Sequence, residues 1–179
     1  MKFESSIPSP APFLKKKRQR DAGYSGPERR TRARHYLHAG QIFTTSEATQ
    51  VTTILGSCVA VCLWDRNLEI GGINHFLLPD WAGRGRASPR FGNVSIASLI
   101  EQMVANGCRL EDFEAKIFGG AMILGDGDPE AALGTKNVEV ARELLGGEGI
   151  PVVAEDSGGQ SGRKLIYHTD TGAAWVKRL

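Results

Sequence analysis

Along most of the chain, apolar residues come in short bursts that follow one of two periods. Residues 51–55, 58–64 and 70–78 are rich in β-branched and apolar side chains and are punctuated by Gly, Ser, Asp and Asn, which predicts strands separated by turns. Residues 115–118, 152–154, 164–168 and 173–177 read in the same way, with Asp170, Thr171 and Gly172 supplying a turn between the last two. Elsewhere the period lengthens. Ile96, Leu99, Ile100, Met103 and Val104 recur at helical spacing, with Asn93 or Ser95 available to cap the start and Asn106-Gly107 to close the end. A second helix is predicted over about 136–145, where Val138, Ala141, Leu144 and Leu145 share a face and Gly146-Gly147 ends it. Strands with two helices inserted make a mixed α/β body that begins near Tyr36.

The pattern is absent before that point. Residues 1–34 hold four of the eight prolines and ten Lys or Arg against three acidic residues, a composition that cannot bury enough apolar surface to offset chain entropy. They are expected to be a disordered basic arm, with a single domain over 35–179. At 179 residues and 41% hydrophobic content the chain has the size and core of one domain. The formal net charge of +2 conceals an asymmetry: without the arm, twelve basic residues face seventeen acidic ones. A mildly acidic body with a basic tail is unlike a nucleic-acid-binding domain, whose positive charge sits on folded elements. No apolar run near Met1 resembles a secretory signal, and none approaches the roughly 18 residues that span a bilayer, so no membrane insertion is expected. Three cysteines, Cys58, Cys62 and Cys108, are odd in number and lack C-x-x-C spacing. This predicts free thiols in a reducing cytoplasm rather than disulfides or a zinc cage.

One thiol has a candidate partner. If residues 51–64 and 70–78 form a hairpin that turns on a two-residue loop at Arg66-Asn67, Cys58 lies directly opposite His75. Opposed residues on antiparallel strands have Cβ atoms about 4.5–5.5 Å apart on one face, near enough for thiol and imidazole to meet. A one-residue slip would separate them. Such a pair makes a nucleophile, because imidazole takes the thiol proton and returns it to a leaving amine. Gly56 and Ser57 precede Cys58, where main-chain amides can serve a developing oxyanion. Cys62 lies within an apolar run and Cys108 follows a helix end, both ordinary places for a packed thiol. His35 and His38 lack the further ligands that a metal site needs, and His168 flanks a strand. Gly119-Gly120 and Gly158-Gly159 match no phosphate-loop or dinucleotide pattern and are expected to be tight turns.

The run VTTILGSCVAVCLWD at 51–65, followed by GGINHFLLP at 71–79, resembles the CheD family of chemoreceptor glutamine deamidases. The likeness continues in order through KIFGGA at 116–121, KNV at 136–138, AEDSGG at 154–159 and TDTG at 169–172, covering about residues 36–177. The resemblance implies an α/β fold, a layered sandwich of mainly antiparallel sheet with two main helices. It also implies a catalytic set of Cys58, His75 and Thr52, with Thr52 orienting His75, and no cofactor. The implied substrate is a glutamine side chain on the cytoplasmic part of a chemoreceptor, converted to glutamate in chemotactic adaptation. A CheC-type phosphatase is the partner the family would bring. Receptor methyl-ester hydrolysis by the same thiol, and an adaptor role toward such a phosphatase, are the alternatives.

Overall fold

A computed structural model of the chain describes residues 31–83, 85–122 and 132–179. Among them are nine strands, two α-helices and one short 3-10 turn. In chain order they are β1 (Ala33–Tyr36), β2 (Ile42–Thr45), β3 (Thr49–Leu55), β4 (Val59–Asp65), β5 (Ile70–Asn74), α1 (Gly92–Ala105), the turn Leu110–Asp112, β6 (Phe113–Gly119), α2 (Leu133–Gly147), β7 (Val152–Ser157), β8 (Arg163–His168) and β9 (Ala174–Arg178). The strands form two sheets, ordered β1-β3-β8-β9 and β2-β5-β4-β6-β7. Pairing is antiparallel except for β1 with β3 and β6 with β7. This is the layered α/β sandwich expected. None of the helices is long and apolar enough to cross a membrane among the described residues.

Burial explains the layering. In β3 the odd positions Thr49, Val51, Thr53 and Leu55 are buried while the even ones are half-buried or exposed, so one face packs and the other meets water. β8 alternates in the same way and places Leu165 and Tyr167 inward beside Thr53 and Val51. β4 has no such alternation, and its burial on both faces makes it the central strand. Ala60 and Cys62 face the four-stranded sheet, in a core with Val51, Leu55 and Tyr167. Val59, Val61 and Leu63 face the helices, in a core with Leu99, Met103, Ala141 and Leu145. The order of layers is therefore four-stranded sheet, five-stranded sheet, helices. Gly71-Gly72 on β5 lets both outer layers close down: a Cβ on Gly71 would lie 2.6 Å from the Tyr167 hydroxyl, and one on Gly72 would lie 2.8 Å from the Leu99 and Met103 side chains.

Several boundaries differ from expectation. β1 is exposed except at half-buried His35, β2 is half-buried throughout, and neither has a clear period, so they are not apparent from pattern alone. β1 begins inside the expected arm, and Arg32 makes a two-pronged pair with Asp170 at 2.7 and 2.9 Å, so 32–34 belong to the folded body. Residues 1–30, the rest of that arm, lie outside the described residues. Helix α1 starts at Gly92 with Phe91 at its cap and no side-chain capping bond, and Asn93 instead accepts from the amides of Trp81 and Val94.

The hairpin register also differs. Asp65, fully buried, accepts from the amides of Asn67 and Leu68 at 2.9 and 2.8 Å and organises a four-residue turn that ends on Glu69 at positive φ. The turn is two residues longer than expected. Cys62 therefore pairs with Ile73 and Val59 with Phe76, and Cys58 is not opposite His75. Between those rungs the ladder is interrupted, because the Asn74 side chain accepts the Val61 amide at 2.8 Å.

Candidate active site

β3 belongs to one sheet and β4 to the other, so Gly56-Ser57-Cys58 is the crossing between them. All three of its carbonyls are tied down: Gly56 accepts from the Ala121 amide at 2.8 Å, Ser57 from Asn137 Nδ2 at 3.0 Å, and Cys58 from the Gly120 amide at 2.8 Å. The main-chain groups of Gly56 and Cys58 lie beside the sulfur and favour its thiolate. The turn at Gly119-Gly120 must be glycine. Both have positive φ, and a Cβ on Gly119 would lie 2.1 Å from the Cys58 carbonyl oxygen. Gly158 and Gly159 likewise have positive φ, and the two glycine pairs are bonded through the Gly158 amide to the Gly119 carbonyl at 2.9 Å.

Cys58 is half-buried, packed at the edge of the core between the sheets. Burial raises its thiol pKa above the ordinary value, and the hydrogen bonds from its own amide and that of Gly56 pull the other way. The other two thiols are more deeply placed. Burial raises Cys62 strongly, and burial together with Asp65 raises Cys108 to about 12.

His75 follows the end of β5 and is held by main chain on both sides, its amide donating to Gln41 O at 3.0 Å and its carbonyl accepting from Gly40 at 2.7 Å. Its ring faces the four-stranded sheet, where Thr53 Oγ1 lies 2.9 Å from Nδ1. Thr53 Oγ1 also donates to the Leu37 carbonyl at 2.8 Å. The single hydroxyl proton is thus spent, and Oγ1 must accept from Nδ1–H, which leaves the lone pair on Nε2. Nε2 is buried and has no hydrogen-bond partner among the described residues, so the resting thiol is not bonded to it. Burial pushes the His75 pKa down to about 4, opposed by the Leu37 carbonyl and assisted by the charge of His38. The imidazole is neutral at ordinary pH, with its basic nitrogen bare.

The structure therefore brings Thr53, not Thr52, to His75. Thr52 shares β3 but occupies an even position, on the outer face of the four-stranded sheet, beside Tyr36 and Ile166. A side chain there cannot orient a ring that lies between the sheets. The period-two signal in β3 points to Thr53, which shares parity with Val51 and Leu55. Two further residues escape sequence reasoning. Asn137 is a fully buried polar residue in the apolar stripe of α2. Arg163, also fully buried, sends its guanidinium to the Asp156 carbonyl, Asp156 Oδ1 at 2.8 Å and the Gly158 carbonyl, and so shapes the turn that meets Gly119. A cavity of about 240 Å³ opens beside that turn, lined by Gly120, Thr135, Val138, Arg142, Ser157 and Gly158. His35 stacks on Phe43 with ring centroids 4.2 Å apart, and His38 packs edge-on against Tyr36 at 4.9 Å. His168 makes a similar edge contact with Trp175 at 4.6 Å, on the other side of the sheet from the His75 site.

Comparison with known proteins finds relatives of the chain. The family described as CheD chemotactic sensory transduction matches residues 77–178. A protein of Anaeromyxobacter dehalogenans named "Probable chemoreceptor glutamine deamidase CheD 1" is 50% identical over 148 residues, covering 83% of this chain and 86% of that protein. Proteins named "Probable chemoreceptor glutamine deamidase CheD" from Trichlorobacter lovleyi and Sulfurimonas denitrificans are each 43% identical. The first covers 81% of this chain and 90% of its own length, the second 79% and 92%.

Proposed function

The chain belongs to the CheD family, and from that premise we propose that it hydrolyses glutamine side chains of chemoreceptors to glutamate, with Cys58 as nucleophile and His75 as general base. The observation that carries the assignment of roles is the Thr53 hydroxyl. By accepting from Nδ1 it presents a neutral imidazole whose bare Nε2 lies on the same side of the five-stranded sheet as Cys58.

The steps follow from these groups. Nε2 takes the thiol proton as sulfur attacks the carboxamide carbon, forming a C–S bond and a tetrahedral oxyanion. The amides of Gly56 and Cys58, beside the sulfur, donate to that oxygen. Collapse breaks the C–N bond, and the imidazolium returns its proton to the departing ammonia. Water then attacks the thioester while Nε2 takes its proton, and the products are the side-chain carboxylate and the regenerated thiol. Thr53 holds the ring through both half-reactions, the role given to the third member of a triad. Burial favours the neutral thiol and the neutral ring before substrate arrives, so ion-pair formation accompanies the attack.

The direct test is mass spectrometry of a chemoreceptor cytoplasmic fragment incubated with the wild-type chain and with Cys58→Ala. Conversion of a glutamine to glutamate adds about one mass unit, and a reaction that proceeds through the thiol requires this gain with wild type only. Equal conversion by both proteins would remove Cys58 from the mechanism.

A further inference from the structure

One of the ties on the nucleophile loop comes from a side chain. Asn137 sits on the packed face of α2 beside Val138 and Gly134 and is fully buried. Its Nδ2 donates to the Ser57 carbonyl at 3.0 Å and to the Leu77 carbonyl at 2.9 Å. Ser57 immediately precedes Cys58, and Leu77 lies two residues beyond His75. A single amide group thus bridges the segment that carries the thiol and the segment that carries the imidazole. The ties from Gly120 and Ala121 secure the loop to the residues after β6, and the paired main-chain bonds of Val59 with Phe76, at 3.1 and 2.9 Å, join the two segments one residue beyond Cys58 and His75, so Asn137 supplies the side-chain tie on the other flank of the thiol.

Helix packing does not account for this residue. The rest of the stripe is Gly134, Val138, Ala141 and Leu145, and an amide among them is costly unless its polar atoms are satisfied. Both Nδ2 hydrogens are satisfied, by the two segments of the site, whereas Oδ1 is buried without a partner among the described residues. The orphaned oxygen is a cost, and what the amide secures is a second tie between the two segments.

On the reading that Cys58 and His75 carry the chemistry, we propose that Asn137 is a positioning residue that sets the approach of Cys58 Sγ to His75 Nε2. A misplacement of about 1 Å between reacting groups is worth on the order of a hundredfold in rate, so such a tie acts on kcat more than on substrate affinity.

Three variants test it. Asn137→Asp keeps the shape and sets a carboxylate against two carbonyl oxygens; Asn137→Ser offers one short donor in place of two; Leu145→Ala weakens the same helix two turns away from the site. Each is measured for thermal midpoint, for kcat and KM on a chemoreceptor fragment, and for the rate of Cys58 alkylation by iodoacetamide. At a temperature where all are folded, both Asn137 variants should lose roughly tenfold or more in kcat, keep KM within about threefold and show an altered alkylation rate. Leu145→Ala, with an equal or larger fall in midpoint, should keep its kcat and alkylation rate. A wild-type kcat in either folded Asn137 variant, or a loss no greater than that of Leu145→Ala at matched midpoint, overturns the proposal. If Asn137→Asp does not fold, Asn137→Ser decides, and failure of both to fold makes the residue structural and overturns the proposal. Cys58→Ala run in parallel separates the two ideas: full activity there removes the thiol mechanism itself, whereas an inactive Cys58→Ala beside a wild-type-like Asn137→Asp removes only the positioning role.

Discussion

Acidification should unfold this protein partly through one proton on His75. The imidazole is buried and 4% exposed, with a pKa pushed from 6.5 down to about 4. The unfolded chain binds that proton more readily than the native one, so the contribution of His75 to stability is complete above the unfolded pKa and is lost as pH falls toward the folded value. A tenfold difference in proton affinity is worth about 1.4 kcal/mol, so the weakened affinity of the buried ring amounts to about 3 kcal/mol in full, of which roughly 2 kcal/mol disappears between about pH 7 and pH 4.5. Against a typical domain stability of about 5–15 kcal/mol this is easily measured. Asp170 and Glu155 are both held below their ordinary carboxylate values and add their own loss at still lower pH, so a reference protein is needed. His75→Gln supplies it, because its amide can donate to Thr53 and does not titrate in this range. Urea unfolding of both proteins at a series of pH values gives the difference in stability directly, and the wild-type curve should fall toward the variant's by about 2 kcal/mol on acidification. Parallel curves, agreeing within about 0.5 kcal/mol across the range, would show that His75 is not held neutral by burial and would refute the account of its bare Nε2.

Two further outcomes bear on the same site. Thr53→Val removes the hydroxyl that joins Leu37 O and His75 Nδ1, and should cost about 1–3 kcal/mol in urea unfolding and lower kcat by roughly tenfold or more, while Thr52→Val leaves both nearly unchanged. The reverse ranking in a steady-state assay would return the orienting role to Thr52. For Cys58, burial raises the thiol pKa, so iodoacetamide alkylation of the free enzyme should keep increasing above about pH 9. A plateau near neutrality, measured with Cys62 and Cys108 replaced by Ala, would mean that a thiolate–imidazolium pair exists before substrate binds.

The parts of the fold legible in the sequence are those where one local rule decides the outcome. β4 reads as a strand covered on both faces because seven residues from Val59 to Asp65 contain no solvent-facing polar series, and β3 reads as a strand from its β-branched run, although it joins the other sheet and not the central hairpin expected for it. α1 and α2 follow from spacing of apolar residues, although their first turns lack side-chain caps and start earlier than the caps suggest. β1 and β2 are held by partners remote in sequence, β3 for one and β5 for the other, and four residues, mostly exposed in β1 and half-covered in β2, carry too little pattern to announce either. The turn after β4 is illegible for a different reason. Arg66-Asn67 satisfies the rule for a two-residue hairpin loop, but the buried Asp65 carboxylate organises a longer turn, and nothing in the spacing shows that Asp65 points inward.

The longer turn has a direct consequence for the site. It adds two residues to the expected loop, so Cys58 and His75 are not directly opposed. A slip of one residue would have sent one side chain toward the helices, whereas a slip of two preserves which face each occupies. Cys58 shares parity with Ala60 and Cys62, and His75 with Ile73, all of which lie between the sheets. The same parity decides between the two threonines. Only odd positions of β3 look into that layer, so Thr53 meets the ring and Thr52 meets solvent. What parity cannot supply is spacing along the strands. Here the regular ladder between β4 and β5 is interrupted by the Asn74 side chain and resumes in the paired main-chain bonds of Val59 with Phe76, and the segments that carry thiol and imidazole are held further by groups outside the hairpin: the Gly120 and Ala121 amides, the Gln41 carbonyl and Asn137. The proposed pair of Cys58 and His75, joined through the Val59–Phe76 rung beside it, is thus tied a second time by a third layer, the helix α2 behind the sheet.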